Sequence, residues 1–406
     1  MNTKITKIAG EKILDSRGNA TVRVTVDTSG GAGSFAVPSG ASTGAFEANE
    51  NKDINQVIQN IQNLIAPQLI GIEATEQDEI DKIMIELDGT ANKSKLSGNA
   101  IIGVSVAAAK AAAHSLGQDL FEYLRSLTQI KSSRPVPYLF MNLINGGKHA
   151  HSKLPFQEYH IVPQVNSVEE SLDMGTKIFK SLRERIDKEM SPSFSNVGDE
   201  GGATVDIGTT VETDDVFIPL KLLSETITQL GYTHKVRLAM DVAASSFFDG
   251  SNYMIGGNIT SDQLYGIYKQ MFAEFDIMSV EDPFNEEDFS NFARIHAEYP
   301  DKFIVGDDLT VTNVERLAMA INNKSINAII IKPNQVGTLT ETLNTMKMAR
   351  ENDIECIISH RSGETEDDFI ADLAYAFGCF GLKSGAPNRG ERVVKYNRLA
   401  HISKLR

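Results

Sequence analysis

A chain of 406 residues is long for one compact core, so two domains are expected, one of them a barrel of about 250 residues. With 41% hydrophobic and 23% charged residues the composition is that of an ordinary globular protein. Its 39 Lys plus Arg against 54 Asp plus Glu give a net charge of −15, which disfavours non-specific binding to nucleic acid or to an anionic membrane surface but leaves room for a small anionic substrate in a local cationic pocket. Cys356 and Cys379 both fall in apolar runs, which points to buried thiols in a reducing compartment rather than a disulfide. The N-terminus lacks the apolar core of a signal peptide. The most apolar segment, Ala100–Ala109, is interrupted by Ser105 and closed by Lys110, short of the roughly 20 residues a bilayer requires. A cytoplasmic protein is expected, and the Asn-X-Ser/Thr matches at Asn92, Asn258 and Asn323 then carry no meaning.

Taken in order, residues 3–38 alternate strand-like runs (Ile5–Leu14, Thr21–Asp27, Phe35–Val37) with turn signals at 16–19 and 30–31, the pattern of an antiparallel meander. Helical spacing follows over Asp53–Leu69, Glu76–Leu87 and an alanine-rich Gly98–Leu116, so residues 1–133 form an α+β domain. Between them, Pro38–Gly44 is a run of small and turn-forming residues that suits a mobile lid; without a Gly-Lys-Ser/Thr ending it is not a phosphate-binding P-loop. Residues 134–406 change period. Strands are expected at Pro137–Leu143 and Phe156–Pro163 and helices at Val168–Met190 and Asp215–Leu230. Then strand and helix alternate six times, with strands at Val236–Asp241, Ile277–Asp282, Phe303–Asp308, Ile326–Lys332, Ile354–His360 and Cys379–Lys383. Six βα units and two earlier strands make eight, and a closed α/β barrel of TIM type is the economical solution.

Each of those six strands ends on ionisable side chains: Asp241, Glu281-Asp282, Asp307-Asp308, Lys332, His360-Arg361 and Lys383, spaced by 40, 26, 25, 28 and 23 residues. A lone lysine at a strand end is commonly solvated, but in a parallel barrel all six ends converge on one face. Three carboxylates so brought together repel one another and need a cation. Oxygen ligands, with no Cys or paired-His pattern, favour Mg²⁺ over Zn²⁺, with Asp241, Glu281 and Asp307 as candidate ligands. Lys332 and Lys383 would lower each other's pKa toward that of a neutral amine base. His360, Arg361 and Ser362 would offer donors to an oxyanion. Glu200 sits on the glycine-rich turn Gly198–Gly202, which is also ordinary turn chemistry, and Gln157-Glu158 opens an apolar strand. A lysine base opposite a glutamate acid is equipment for eliminating water across two carbons.

The motifs SRGN (16–19), PSGASTG (38–44), QE (157–158), VGDEGG (197–202), DVAAS (241–245), VEDPF (280–284), VGDDLTVTN (305–313), IKPNQVGTLTET (331–342), SHRSGETED (359–367) and KSGAP (383–387) stand in an order that resembles the enolases over nearly the whole chain. The resemblance implies the reversible dehydration of 2-phospho-D-glycerate to phosphoenolpyruvate in glycolysis and gluconeogenesis. It implies that Lys332 takes the C2 proton, that Glu200 helped by Glu158 protonates the departing C3 hydroxyl, and that His149 enters on another loop. It places Lys383 on the substrate carboxylate, Arg361, Ser362 and His360 on the phosphate side, and Gln157 with Glu158 in the substrate site. Asp241, Glu281 and Asp307 would hold the first Mg²⁺, and Ser42 in the lid would close on a second that arrives with substrate.

The sequence also departs from the family pattern. DEGG is followed by Ala203-Thr204-Val205 where an aromatic, Ala and Pro are usual, and His149 by Ala150-His151-Ser152 where Ala-Gly-Asn is usual. A homodimer or an assembly of dimers is expected, yet Arg23 and His401 stand where the family places the glutamate and arginine of its intersubunit salt bridge, so that bridge cannot form. Another acid dehydratase, or an enolase-like protein kept for binding or structural use, are the competing readings. The SHRS and PSGASTG motifs oppose the first, and the complete carboxylate and lysine set opposes the second.

Overall fold

The computed structural model describes residues 2–40, 44, 46–150, 153–189, 197–204 and 215–405. Ser42, His151, Ser152 and Val205 lie outside the described residues.

The N-terminal part opens with the expected antiparallel meander, β1 (Ile5–Leu14), β2 (Ala20–Thr28) and β3 (Ala32–Ala36). Alternation in β2 sends Val22, Val24 and Val26 to one buried face, and the alanine-rich helix Gly98–Leu116 covers it. Small residues let the two elements approach closely: a Cβ on Gly33 would lie 2.2 Å from the backbone nitrogen of Ala111. The expected helix Asp53–Leu69 is not uniform. It runs as α-helix over Ile54–Asn60, widens to a π-turn over Ile61–Ile65 and resumes over Ala66–Leu69. Pro67 explains the widening, because it has no N–H to give the preceding turn and its ring displaces that turn's carbonyl. No single helix among the described residues is long and apolar enough to cross a membrane.

The remainder is a closed eight-stranded barrel: β4 (Tyr138–Asn145), β5 (Glu158–Pro163), β6 (Val236–Asp241), β7 (Ile277–Glu281), β8 (Phe303–Gly306), β9 (Ala328–Ile331), β10 (Glu355–Ser359) and β11 (Gly381–Lys383). Each strand pairs with the next, and β11 closes on β4 through Gly381, Leu382 and Lys383. The barrel is not wholly parallel, however: β5 runs antiparallel to both β4 and β6. The reason lies in the connection. Only residues 146–157 separate β4 from β5, with Gly146-Gly147 and Pro155 among them, too short and too irregular for a crossover helix. The chain therefore turns back as a hairpin. Reversal moves the functional end of β5 from its last residue to its first, and Glu158 lands in register with Asp241.

Inside the barrel, Phe140, Val162, Ala239, Met278, Val305, Ala328, Ile330, Ile357 and Phe380 pack into one apolar plug. Its volume is tightly set: a Cβ on Gly381 would lie 2.5 Å from the Phe140 ring, so only glycine fits at that inward position. With a side-chain period of two, the residue two beyond Ala239 is Asp241, beyond Val305 is Asp307, and beyond Ile330 is Lys332. The same inward rows pass from apolar to ionisable within one pleat.

Candidate active site

A pocket with about 460 Å³ of empty space, part of it open to solvent, sits on those ionisable ends, lined by Glu158, Glu200, Asp241, Asp307, Lys332 and Lys383 together with His149, Gln157, His360, Arg361 and Ser362. Every sequence-predicted site residue that is described reaches this cavity or the side chains bordering it, Glu281 through its contact with Lys383. Seven of the lining residues are carboxylic acids (Glu47, Glu158, Glu200, Asp241, Asp282, Asp307, Asp308), against the three permanent cations Lys332, Arg361 and Lys383. The surplus is negative and buried, a setting that attracts a cation.

Lys383 lies at the centre of the acid ring, its Nζ 2.9 Å from Asp241 Oδ2, 3.0 Å from both oxygens of Glu281 and 3.2 Å from Glu158 Oε2. Lys332 Nζ is 2.5 Å from Asp307 Oδ2, whose other oxygen accepts from Gln335 Nε2 at 3.0 Å. These contacts overturn one sequence expectation. Burial opposes both charges and Lys383 does pull Lys332 down, but the carboxylates outweigh these effects, so the pKa of Lys332 is raised and that of Lys383 raised well above its usual value. The acids divide. Burial followed by mutual repulsion lifts Glu281 far above the carboxylate range, and burial lifts Asp241 despite Lys383. Asp307 is lowered, since Lys332 overcomes its burial.

Asp282, also at a strand end, has a different task from the other acids. Its two carboxylate oxygens accept from the backbone N–H groups of Asp307 (3.0 Å) and Asp308 (2.7 Å), which fixes the turn that aims Asp307. Burial and the neighbouring Asp307 push Asp308 itself up to about 8.

Across the mouth stands an acid pair. In the ring of eight, β5 and β9 are four strands apart, so Glu158 at the start of β5 faces Lys332 at the end of β9. His149 Nδ1 is 3.3 Å from Glu158 Oε1 and 3.6 Å from Glu200 Oε1, and His160 Nε2 is 2.8 Å from Glu158 Oε2. Asn142 donates to Glu200 at 3.1 Å. Burial works against charge on His149, yet Glu200 and Glu158 raise its pKa. Burial likewise opposes ionisation of Glu158, but Lys383 and the two histidines hold it well below the usual range. Glu200 is also lowered, His360 and His149 outweighing burial and the charge of Glu158. Glu200 rides on a tight turn in which Gly198 N–H donates to the Gly202 carbonyl at 2.9 Å, and a Cβ on Gly198 would strike Asn145 and the His149 carbonyl at 2.7 Å.

The lid is anchored at its base. Ser39 and Gly363 exchange backbone hydrogen bonds of 2.7 and 2.9 Å, Ser39 Oγ donates to Asp15 Oδ2, and Arg17 donates to the Gly40 carbonyl. The SRGN motif thereby joins the lid to the SHRSG segment. Arg361 is held by Glu47, 3.0 Å away, and by Asn334. His360, expected on the phosphate side, has its Nε2 3.3 Å from Glu200 Oε2, which places that nitrogen against the acid pair.

Two family models match this chain, the enolase N-terminal domain over residues 5–124 and the enolase C-terminal TIM barrel domain over residues 131–405. The enolase of Methanopyrus kandleri is 45% identical over 418 residues, covering 99% of this chain and 96% of its own. That of Methanocaldococcus jannaschii is 45% identical over 413 residues (99% and 95%), and enolase B of Dictyostelium discoideum 42% over 426 (98% and 94%). The chain belongs to the enolase family. An enolase is a carbon–oxygen lyase, and this chain carries both of the family's domains.

Of the departures from the enolase pattern, the one after DEGG is accommodated: Ala203 and Thr204 pair in parallel with Ile144 and Asn145 and extend the sheet at the mouth. Arg23 is occupied within its own chain, 3.1 Å from Glu11 and 2.9 Å from Glu366. Sequence reasoning missed Glu47, Asn142, His160 and Arg392. Asn142 and His160 carried a signal, a polar group at an inward position of a strand; Glu47, in the turn after the lid, and Arg392, in the helix Gly390–Ile402, carried none.

Proposed function

We propose that this chain catalyses the reversible dehydration of 2-phospho-D-glycerate to phosphoenolpyruvate at the barrel mouth. The observation that carries the reading is the placement of Lys332 and the Glu158–Glu200 pair on opposite sides of one pocket. Lys332 removes the C2 proton, and the electron pair left on C2 forms the double bond as the C3–oxygen bond breaks. A proton from the Glu200 side, oriented by His149 and Glu158, lets the oxygen leave as water. Lys383 steadies the carboxylate end, and Arg361 with Ser362 takes the phosphate.

The residues present fit Mg²⁺. Asp241, Glu281 and Asp307 are an all-oxygen set at three adjacent strand ends, and burial with mutual repulsion keeps Asp241 and Glu281 from ionising freely without added positive charge. The described groups whose donor atoms already lie within 4.8 Å of one another are instead His149–Glu158–Glu200 and Asp282–Asp307–Asp308, because Lys383 and Lys332 hold the three carboxylates. Asp241, Glu281 and Asp307 would hold the Mg²⁺, which would supply positive charge for the substrate carboxylate and compete with Lys383 and Lys332 for those acids. Ser42 of the lid completes the reading as a ligand to a second Mg²⁺.

Phosphoenolpyruvate formation from 2-phosphoglycerate, followed with and without Mg²⁺, tests the reaction; no Mg²⁺-dependent product would sink it. Lys332→Ala should lower both turnover and exchange of the C2 proton with solvent by about 10²–10⁴-fold, whereas Glu200→Gln should lose dehydration by a similar factor and keep exchange. Equal loss of exchange in both variants would refute the division of roles. A cytoplasmic homodimer belongs to the same reading, with contacts other than the family's salt bridge; sedimentation of the protein as a monomer at micromolar concentration would refute the dimer.

A further inference from the structure

We infer that Arg392 is a positioning residue that fixes His360 as the neutral tautomer protonated at Nε2, the nitrogen on the Glu200 side of the ring. Arg392 lies in the last helix (Gly390–Ile402) and is fully buried, as is His360. Its guanidinium NH1 is 2.7 Å from His360 Nδ1 and 2.6 Å from the Arg361 carbonyl; its NH2 is 2.6 Å from the Ser362 carbonyl and 2.9 Å from the Asp199 carbonyl.

The chemistry of the pair leaves one arrangement. A guanidinium has only donors, so a nitrogen 2.7 Å from it must offer a lone pair, and His360 Nδ1 therefore carries no proton. In a neutral imidazole the proton then resides on Nε2, the nitrogen that faces Glu200 Oε2 at 3.3 Å. A doubly protonated ring would press an N–H against Arg392. Burial and the Arg392 charge both disfavour that form, while Glu200 favours it.

The same guanidinium holds two loops at once. Through Asp199 it grips the turn that carries Glu200, and through Arg361 and Ser362 it grips the segment that carries His360. Lys395, one turn later on the same helix face, adds to the hold: its Nζ is 2.6 Å from Glu364 Oε2 and from the Thr365 carbonyl, and Glu364 in turn accepts from the Arg361 N–H at 3.1 Å. The last helix is thus a clamp that sets the distance between Glu200 and its histidine. Arg392 touches neither Lys332 nor the acid ring in any described contact, so its influence should fall on the half of the reaction that Glu200 serves and, through the Arg361 and Ser362 carbonyls, on substrate binding, rather than on proton abstraction.

The inference rests on the assignment of Glu200 to the C3 oxygen and is tested separately from it. In the full-length protein with ¹⁵N-labelled histidine, the His360 resonances, assigned by their loss in His360→Gln, should show Nδ1 without a proton and Nε2 with one. Arg392→Lys should give mixed tautomers and, at saturating substrate, cut dehydration by about 100-fold while leaving C2 proton exchange within about threefold of wild type; any rise in KM reports the separate hold on Arg361 and Ser362. A proton on Nδ1 in the wild-type protein, or equal loss of exchange and dehydration in Arg392→Lys, would overturn it. Arg392→Gln, which keeps a neutral donor, serves if the lysine variant does not fold, and if neither folds the wild-type spectrum alone decides. Failure of the Glu200 assignment reads differently, as loss of exchange in Glu200→Gln with the His360 tautomer unchanged.

Discussion

The barrel's interior is two regions built on the same strands, and they obey different rules. In the apolar plug each side chain answers mainly for its own volume, as where Gly381 makes room for Phe140. One pleat higher no side chain can be understood singly. Lys383 is stable in burial because Asp241, Glu281 and Glu158 surround it, and those acids tolerate one another because Lys383 is among them. The difference teaches that substitution in the plug should cost stability and spare chemistry, whereas substitution at the mouth should unbalance a whole set of charges.

Lys383→Met is the strongest way to break that contrast. It keeps the length and apolar stem but leaves three buried carboxylates without their cation, and should destabilise the metal-free protein by about 3–5 kcal/mol in urea unfolding. Added Mg²⁺ should return part of that loss. A loss below about 1 kcal/mol would mean that the acids meet burial by taking up protons, and the mouth would then behave like the plug. Next in size is Ile330→Ala, two residues before Lys332 and wholly buried. It should cost about 2–5 kcal/mol with kcat per folded molecule preserved, and a fall in kcat would show that the plug supports the mouth directly. The smallest is Ile357→Val, one methylene from the same plug, at about 1 kcal/mol.

The plug and the strand ends were legible in sequence for one reason: a βα repeat of regular length fixes both the inward rows and the face on which they end. The strands closing on Asp241, Glu281, Asp307, Lys332 and Lys383 could therefore be read without any contact being known. The direction of β5 could not, because hydrophobic pattern is the same in either direction and only the shortness of residues 146–157, with two glycines and a proline, favours a hairpin. Nor could the π-turn at Ile61–Ile65 be seen beneath an unbroken helical period. Lysine pKa was misjudged because sequence places like charges in register but does not say which carboxylate each ammonium reaches. Arg392 was invisible for a related reason: its partners His360, Arg361 and Asp199 lie between 31 and 193 residues away.

The reversed β5 has one more consequence. Because that strand enters the ring from the mouth, the chain visits the mouth twice on a single excursion, first through His149 and Glu158 and again through Val197–Thr204 between the helices Val168–Glu189 and Phe217–Gln229. Most of the acid half of the site therefore travels on one contiguous segment, residues 142–204, with His360 contributed from a later strand, while the base and the carboxylate ring are dispersed over five later strands. That segment is nevertheless joined to the later strands, Glu158 to Lys383 and Glu200 to His360, so a change of length within residues 142–204 must keep those two contacts if the proton-abstracting half is to stay in place.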